Sequence, residues 1–339
     1  MPHYMYVAVQ EDDRISTFVV DPDTGGLAHQ RDLAVAGGPF TMAVSPSGAH
    51  LYVGCREDPQ LISYDIDPSN GELSRTGRVA LEFNPTYIGA DRKGGYVLSA
   101  YYQGAHVGVH PIGDDGSVGG DPVVWLETAT GAHAMQTDPT NRYAFVPHIA
   151  GNGPNRIYQF RFDENTGQIE PNSPAQVEPE GFHGPRHFCF HPSLDVLYFS
   201  NEQGCSVGAY RLDTGNGTLT QFQTVPTIPE DFTERNTCSQ IQITPSGRFL
   251  YAPNRGHNSI ACFTVDSATG ELAANGIVDA EAIPNALAVG PGEKFLYSAG
   301  VESGNMATFG IDGETGQLNR VATTPLGNRP AWISLVELS

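Results

Sequence analysis

Four ionisable side chains stand in short segments that otherwise look structural. They are His133 in GAHAMQTDP (131–139), Arg186 in GPRHFCFHP (184–192), Glu202 in SNEQG (200–204) and Arg255 in PNRGHN (253–258). The first two segments are versions of one line, which also appears as GPFTMAVSP (38–46) and IPNALAVGP (283–291). Only the copy at 184 brings an arginine to the start of the line. Arginine suits a carboxylate or phosphate because its planar fork donates two parallel hydrogen bonds. A carboxylate or imidazole beside arginines can take a proton from water or from a substrate carbon. The four residues therefore have the chemistry of an acid–base site for a small anion, provided the fold brings them together.

The elements that would do so are repeated. Each line ends at a turn, and equivalent turns at Pro46, Arg92, Pro139, Pro192, Pro245 and Pro291 recur every 46 to 53 residues. Within a unit the order is constant: AHLYVGC (49–55), a polar loop, QLISYDID (60–67), then a D-x-x-x-G-x-L hairpin. That hairpin returns as DPDTGGL, DPSNGEL, DENTGQI, DTGNGTL, DSATGEL and DGETGQL. Asp or Asn with Gly suits the positive φ that tight hairpins demand. Short alternating strands at this period are the signature of β-propeller blades. Six full units run from residue 38. The seventh is split, with RPAWISLVEL at the C-terminus joining MYVAVQ, ISTFVVD and the segment after GGL. The expectation is an all-β chain, residues 1–339 forming one seven-bladed propeller. Its blades are four-stranded and antiparallel, and the two chain ends close the ring in one blade.

In such a meander, the entrance to each innermost strand and the loop after the second strand lie on one face. The entrances supply Phe40, Asn84, Pro85, His133, Arg186, His187, Cys238, Asn285 and Arg329. The loops supply Gln10, Arg56, Glu57, Tyr101 to Gln103, His148, Glu202, Gln203, Arg255, His257 and Glu302. Of these, Glu202 and His133 are the candidates for proton transfer, and Arg186 and Arg255 for anion binding. Arg56, Tyr101, His187, Gln203, His257, Glu302 and Arg329 are the expected substrate contacts. Arg56, Arg186, Arg255 and Arg329 would ring one funnel and focus an anion against the field of the whole chain.

That field is strong. The formal charge is −20, and Lys93 and Lys294 are the only lysines. It repels nucleic acid and anionic membrane. No segment approaches 18 apolar residues, so no membrane span is expected. MPHYMYVAVQEDD has neither the basic region nor the apolar run of a signal peptide. The five cysteines (55, 189, 205, 238 and 262) form no C-x-x-C and are odd in number. They read as reduced packing residues of a cytoplasmic protein. A closed ring has no obligatory dimer edge, so a monomer is expected.

Other motifs carry less. His183, His187 and His191 are four apart, a metal spacing only on a helix; on a strand four residues span roughly 13 Å. The G-x-G pieces lie in hairpins with no helix after them to cradle a phosphate. There is no G-x-S-x-G elbow and no G-H…W-D pattern of WD40 repeats. No metal and no cofactor are expected.

Taken together, GPRHFCFHP, LYFSNEQGCSVGAYRL and ITPSGRFLYAPNRGHNSIACFTV resemble the seven-bladed lactonase family. That family includes bacterial 6-phosphogluconolactonases and fungal 3-carboxy-cis,cis-muconate lactonizing enzymes, and the resemblance runs from MYVAVQ to RPAWISLVEL. It implies a small anionic lactone as substrate and an active site at His133, Arg186, Glu202 and Arg255. The loop HIAGNGPNR (148–156) is longer than the family's bacterial lactonases would suggest and lies beside His133. Three readings stand at this point. The first is hydrolysis of a sugar lactone, foremost 6-phosphogluconolactone to 6-phosphogluconate, with Glu202 or His133 as base. The second is cycloisomerisation of a carboxylated muconate, or hydrolysis of another carboxylated lactone. The third is a non-enzymatic propeller that binds a partner at its mouth, which requires an apolar patch there.

Overall fold

Residues 2–338 are described by a computed structural model. The alternating segments form strands that assemble into seven four-stranded antiparallel sheets arranged as a propeller. Among the described residues the only helical turns are two short 3-10 turns, Gln10–Asp12 and Pro291–Glu293. The split blade closes as the sequence predicts. Pro330–Glu337 pairs antiparallel with His3–Val9, placing Tyr4 opposite Val336 and Ala8 opposite Trp332. Adjacent blades share apolar clusters, for example Tyr6, Leu51, Val53 and Ile62.

The repeated hairpin is the device that joins neighbours. In all six copies the glycine is left-handed, with φ between 68° and 74° at Gly25, Gly71, Gly167, Gly217, Gly270 and Gly316. The leading Asp folds back as an Asx turn; Asp67 Oδ1, for instance, accepts from Ser69 N at 2.8 Å. In four of the six copies the glycine carbonyl takes a hydrogen bond from a buried tyrosine of the preceding blade. Tyr6 donates to Gly71 at 2.9 Å, Tyr198 to Gly270 at 2.8 Å, Tyr251 to Gly316 at 2.9 Å and Tyr297 to Gly25 at 3.1 Å. A side chain on the glycine would strike the ring that makes this bond or its neighbour. A Cβ on Gly71 would lie 2.6 Å from the Tyr4 ring.

A second repeated feature aims the site. The innermost strands begin with one residue more than their partners can pair. Pro39 pairs with Cys55 and Thr41 with Gly54, leaving Phe40 out. Asn285 and Ala331 are left out in the same way, and Arg186 and His187 together face only Ser200. The strand holding His133 is reduced to Gln136–Thr137, preceded by a lone bridge between Ala132 and His148. Such bulges bend the strand and re-aim side chains at sheet edges. Here they turn one residue per entrance toward the central channel.

Candidate active site

Two registers supply the mouth. One is the bulged entrance, which contributes Phe40, His133, Arg186, Asn285 and Ala331. The other is the first residue after each second strand: Arg56, Tyr102, Glu202, Arg255 and Val301. The backbone N–H of that residue is anchored on the segment before the entrance. Arg56 N bonds Gly38 O at 3.0 Å, Glu202 N bonds Gly184 O at 2.7 Å and Arg255 N bonds Thr237 O at 2.8 Å. The two registers, with Thr86, Gln103, Ile283 and Arg329, line a pocket of about 300 Å³. Four arginines and one carboxylate therefore face a space at the small end of the range for small-molecule sites.

Glu202 is the hub. Its Oε2 accepts from Arg186 Nε at 2.9 Å, lies 3.4 Å from Arg255 Nη2 and 3.7 Å from His133 Nε2. Arg255 Nη2 also donates to Cys238 O at 3.0 Å, which fixes the guanidinium from below. Burial pushes the Arg186 guanidinium down to about 9, with Arg255 nearby adding to the effect. Burial also holds His133 well below the ordinary histidine range, and the charges of Arg186 and Arg255 and the proximity of His187 press it the same way. Burial and the neighbouring charges thus disfavour the imidazolium form of His133 beside Glu202. Arg186 Nη1, Arg255 Nε and Arg56 Nε are buried and have no hydrogen-bond partner among the described residues. Buried donors of this kind are normally satisfied, and the three arginines that carry them all line the pocket.

The chain matches the family model "Lactonase, 7-bladed beta-propeller" over residues 6–335. It belongs to that lactonase family. The 6-phosphogluconolactonase of Pectobacterium carotovorum is 34% identical over 338 residues, covering 100% of both chains. That of Serratia proteamaculans is 32% identical over 336 residues, covering 99% of each. Among solved structures, the periplasmic gluconolactonase of Pseudomonas aeruginosa superposes with a TM-score of 0.91 at 23% identity, covering 100% of both chains. A protein from Lactobacillus plantarum does so at 0.90 and 22%, covering 99% of this chain and 100% of that one.

This lactonase gathers His133, Arg186, Glu202 and Arg255 in one pocket, with Arg56 and Arg329 on its rim. Arg56 lies 4.0 Å over the Phe40 ring, and Arg329 reaches Glu11 at 3.6 Å. Five expected contacts lie elsewhere. Tyr101 ends the strand Tyr96–Tyr101, is fully buried, and packs edge-on against Trp125 at 4.7 Å. The strand alternation turns it between blades, and Tyr102 takes its place at the mouth. His187 points along the channel behind His133, with ring centres 5.3 Å apart, and lines a separate cavity of about 90 Å³ with Tyr87 and Trp332. Gln203 faces the neighbouring loop, where its Oε1 accepts from Ala150 N at 3.0 Å. His257 turns outward, bonded to Ser259 Oγ at 2.7 Å and packed on Phe232 at 4.7 Å. Glu302 lines an adjoining cleft, and Val301 holds the pocket position.

Sequence reasoning did not anticipate Thr86, Ile283, Val301 or Ala331. A signal for Val301 was present: it stands one place after its second strand, as Arg56, Glu202 and Arg255 do. Among the described residues, the large apolar side chains left exposed are Phe182, Ile277 and Val321. They sit on three different blades and form no patch at the mouth. No group of three His, Cys, Asp or Glu side chains among the described residues is placed to share a metal ion.

Proposed function

We propose that this chain hydrolyses 6-phosphogluconolactone to 6-phosphogluconate. The observation that carries the reading is the convergence of Arg186, Arg255 and His133 on Glu202 at the floor of an arginine-rimmed pocket. The names of its full-length relatives support the same substrate.

In this reading the guanidinium groups of Arg186 and Arg255, which line the pocket, stabilise the charge that the lactone carbonyl oxygen gains as water attacks. Arg56 and Arg329, nearer solvent, hold the phosphate. The 3.7 Å between His133 Nε2 and Glu202 Oε2 allows one water to hydrogen-bond both. That water adds to the carbonyl carbon and gives its proton to His133 or Glu202. The bond from that carbon to the ring oxygen then breaks, and the same proton passes to the ring oxygen. Neutral His133 is in the right state to accept a proton, and a bound phosphate offsets the arginine charges that depress it.

All five cysteines are free thiols, which supports placing the enzyme in the reducing cytoplasm. A proton-release assay at neutral pH, corrected for spontaneous hydrolysis, tests the function. Turnover should be faster on the phosphorylated lactone than on gluconolactone, and Arg186→Ala should lower it by about 10²–10³-fold. Equal rates with and without protein on both lactones would reject the proposal.

A further inference from the structure

The mouth of the pocket has unequal walls. On the His133 side, residues 149–155 form a loop tied down at three points, one of them the pocket-lining Tyr102. Gln203 Oε1 accepts from Ala150 N at 3.0 Å, Asn155 Oδ1 accepts from Gly184 N at 2.8 Å, and Asn152 Oδ1 accepts from Tyr102 Oη. Diametrically across the ring, by blade order, there is no such loop among the described residues. Ile283, Val301 and Arg329 line the arginine pocket on one side and a cleft of about 700 Å³ on the other. The cleft runs between the blade of residues 284–325 and the blade that closes the ring. It is more than twice the size of the pocket it joins.

We propose that this cleft is a second sugar subsite: the arginine pocket takes the lactone ring, and the cleft takes a neutral, hydroxyl-rich group attached to it. The inference rests on the lactonase reading above and widens its substrate class to glycosylated aldonolactones. Charge argues for the neutral group. The cleft carries two carboxylates, Glu11 and Glu302, against the single cation Arg329 at its border. Carboxylates accept hydrogen bonds from hydroxyls and repel a second phosphate. Glu302 is exposed and has no ion-pair partner among the described residues, so its oxygens are available. Shape argues for close contact. Gly304 and Gly327 form part of the lining, and a Cβ on Gly304 would lie 2.5 Å from Gly327 O. The glycine there lets the two cleft walls meet backbone to backbone, held by Leu326 N and Gly327 N on Gly304 O. Ile283, Val301 and Pro325 offer apolar surface for its C–H face.

The test compares glucono-1,5-lactone with cellobionolactone, which bears a glucosyl group on the same lactone. It is run on the wild type and on Ser303→Trp, a residue that lines the cleft and not the pocket. The disaccharide lactone should be hydrolysed with kcat/KM at least equal to that of gluconolactone. Ser303→Trp should reduce the disaccharide value about tenfold or more and leave the monosaccharide value within about twofold. Calorimetry with the ring-opened acids gives a readout independent of turnover. Cellobionate should bind about tenfold tighter than gluconate, with the advantage lost in Ser303→Trp. Hydrolysis of gluconolactone but not of cellobionolactone would overturn the subsite and leave the lactonase reading intact, as would a parallel loss of both in Ser303→Trp. If neither is hydrolysed, 6-phosphogluconolactone is run as a third substrate. Turnover of it alone keeps the lactonase reading and overturns the subsite, and no turnover of any of the three rejects the lactonase reading. Cellobionate binding no tighter than gluconate overturns the subsite in either case.

Discussion

Replacing Glu202 with Gln should cost stability as well as activity, and an added anion should restore the stability. The carboxylate meets Arg186 at 2.9 Å and Arg255 at 3.4 Å. At an effective dielectric near 20, each contact is worth about 5 kcal/mol before desolvation is set against it. Breaking a buried pair by removing one partner typically costs about 3–5 kcal/mol. The amide oxygen of the introduced glutamine can still accept from Arg186 Nε, which favours the lower end, about 3 kcal/mol. A chain of 339 residues has an unfolding entropy near 0.7 kcal/mol/K, so the melting temperature should fall by about 4 °C. Inorganic phosphate would replace the lost charge between the arginines, so it should raise the melting temperature of Glu202→Gln more than that of the wild type. The assay is thermal unfolding of both proteins with and without phosphate at constant ionic strength, alongside lactone turnover, which should collapse in the variant. A Glu202→Gln protein that melts at or above the wild-type temperature in anion-free buffer, with no larger response to phosphate, would refute the argument. Glu202 would then be a strained catalytic group and not the counter-ion of the pair.

His110 is buried, neither ring nitrogen has a partner among the described residues, and burial lowers it to about 4. The unfolded chain binds this proton below pH 6.5 and the folded chain does not, so stability falls as pH drops from 6.5 toward 4. His110→Phe should remove about 2 kcal/mol of that loss at pH 5 in urea unfolding; an unchanged pH slope would rule His110 out as its source. Asn152→Ala releases the loop tip from Tyr102 and should raise KM about three- to tenfold with kcat retained, the worth of one hydrogen bond; unchanged kinetics would show that the loop does not shape the mouth. Raising salt from about 10 to 150 mM shortens the screening length from roughly 30 to 8 Å. It should hide the −20 field of the chain more than the nearby arginines, so kcat/KM on the phosphorylated lactone should rise; a monotonic fall would mean that the arginines dominate at long range.

The architecture was legible because it is written six times. The period, the D-x-x-x-G hairpin and the divided last blade each predict the same ring, and the hairpin glycines all adopt the positive φ that their motif requires. The site was legible at the level of loops and less so at the level of side chains. His133, Arg186, Glu202 and Arg255 meet because strand direction alone puts their loops on one face. Tyr101 and Glu302 miss by one residue in opposite directions, since a strand's side chains alternate and a single step moves a residue off the pocket. Gln203 and His257 lie past the turn, where no periodicity says which way a side chain faces. The aim of Phe40, Asn285 and Ala331 depends on bulges, and the extra residue shows only once pairing partners are known.

Those bulges also explain why a single copy of the repeated line carries an arginine at its entrance. A propeller repeats its framework, and each blade presents a bulged residue and a first loop residue to the same central mouth. The framework positions are held alike: a tyrosine on a hairpin carbonyl and a loop N–H on the entrance segment. The two aimed positions differ from blade to blade. Across the ring they hold Phe40 with Arg56, His133 with Ile149, Arg186 with Glu202, and Asn285 with Val301. The blade of residues 185–226 is the one that puts opposite charges at both of its aimed positions, and the two meet at 2.9 Å. Arg255 from the next blade and His133 from the previous one then converge on the same carboxylate oxygen. The chemistry is thus concentrated where one blade breaks the pattern of its copies, and its two neighbours complete the site.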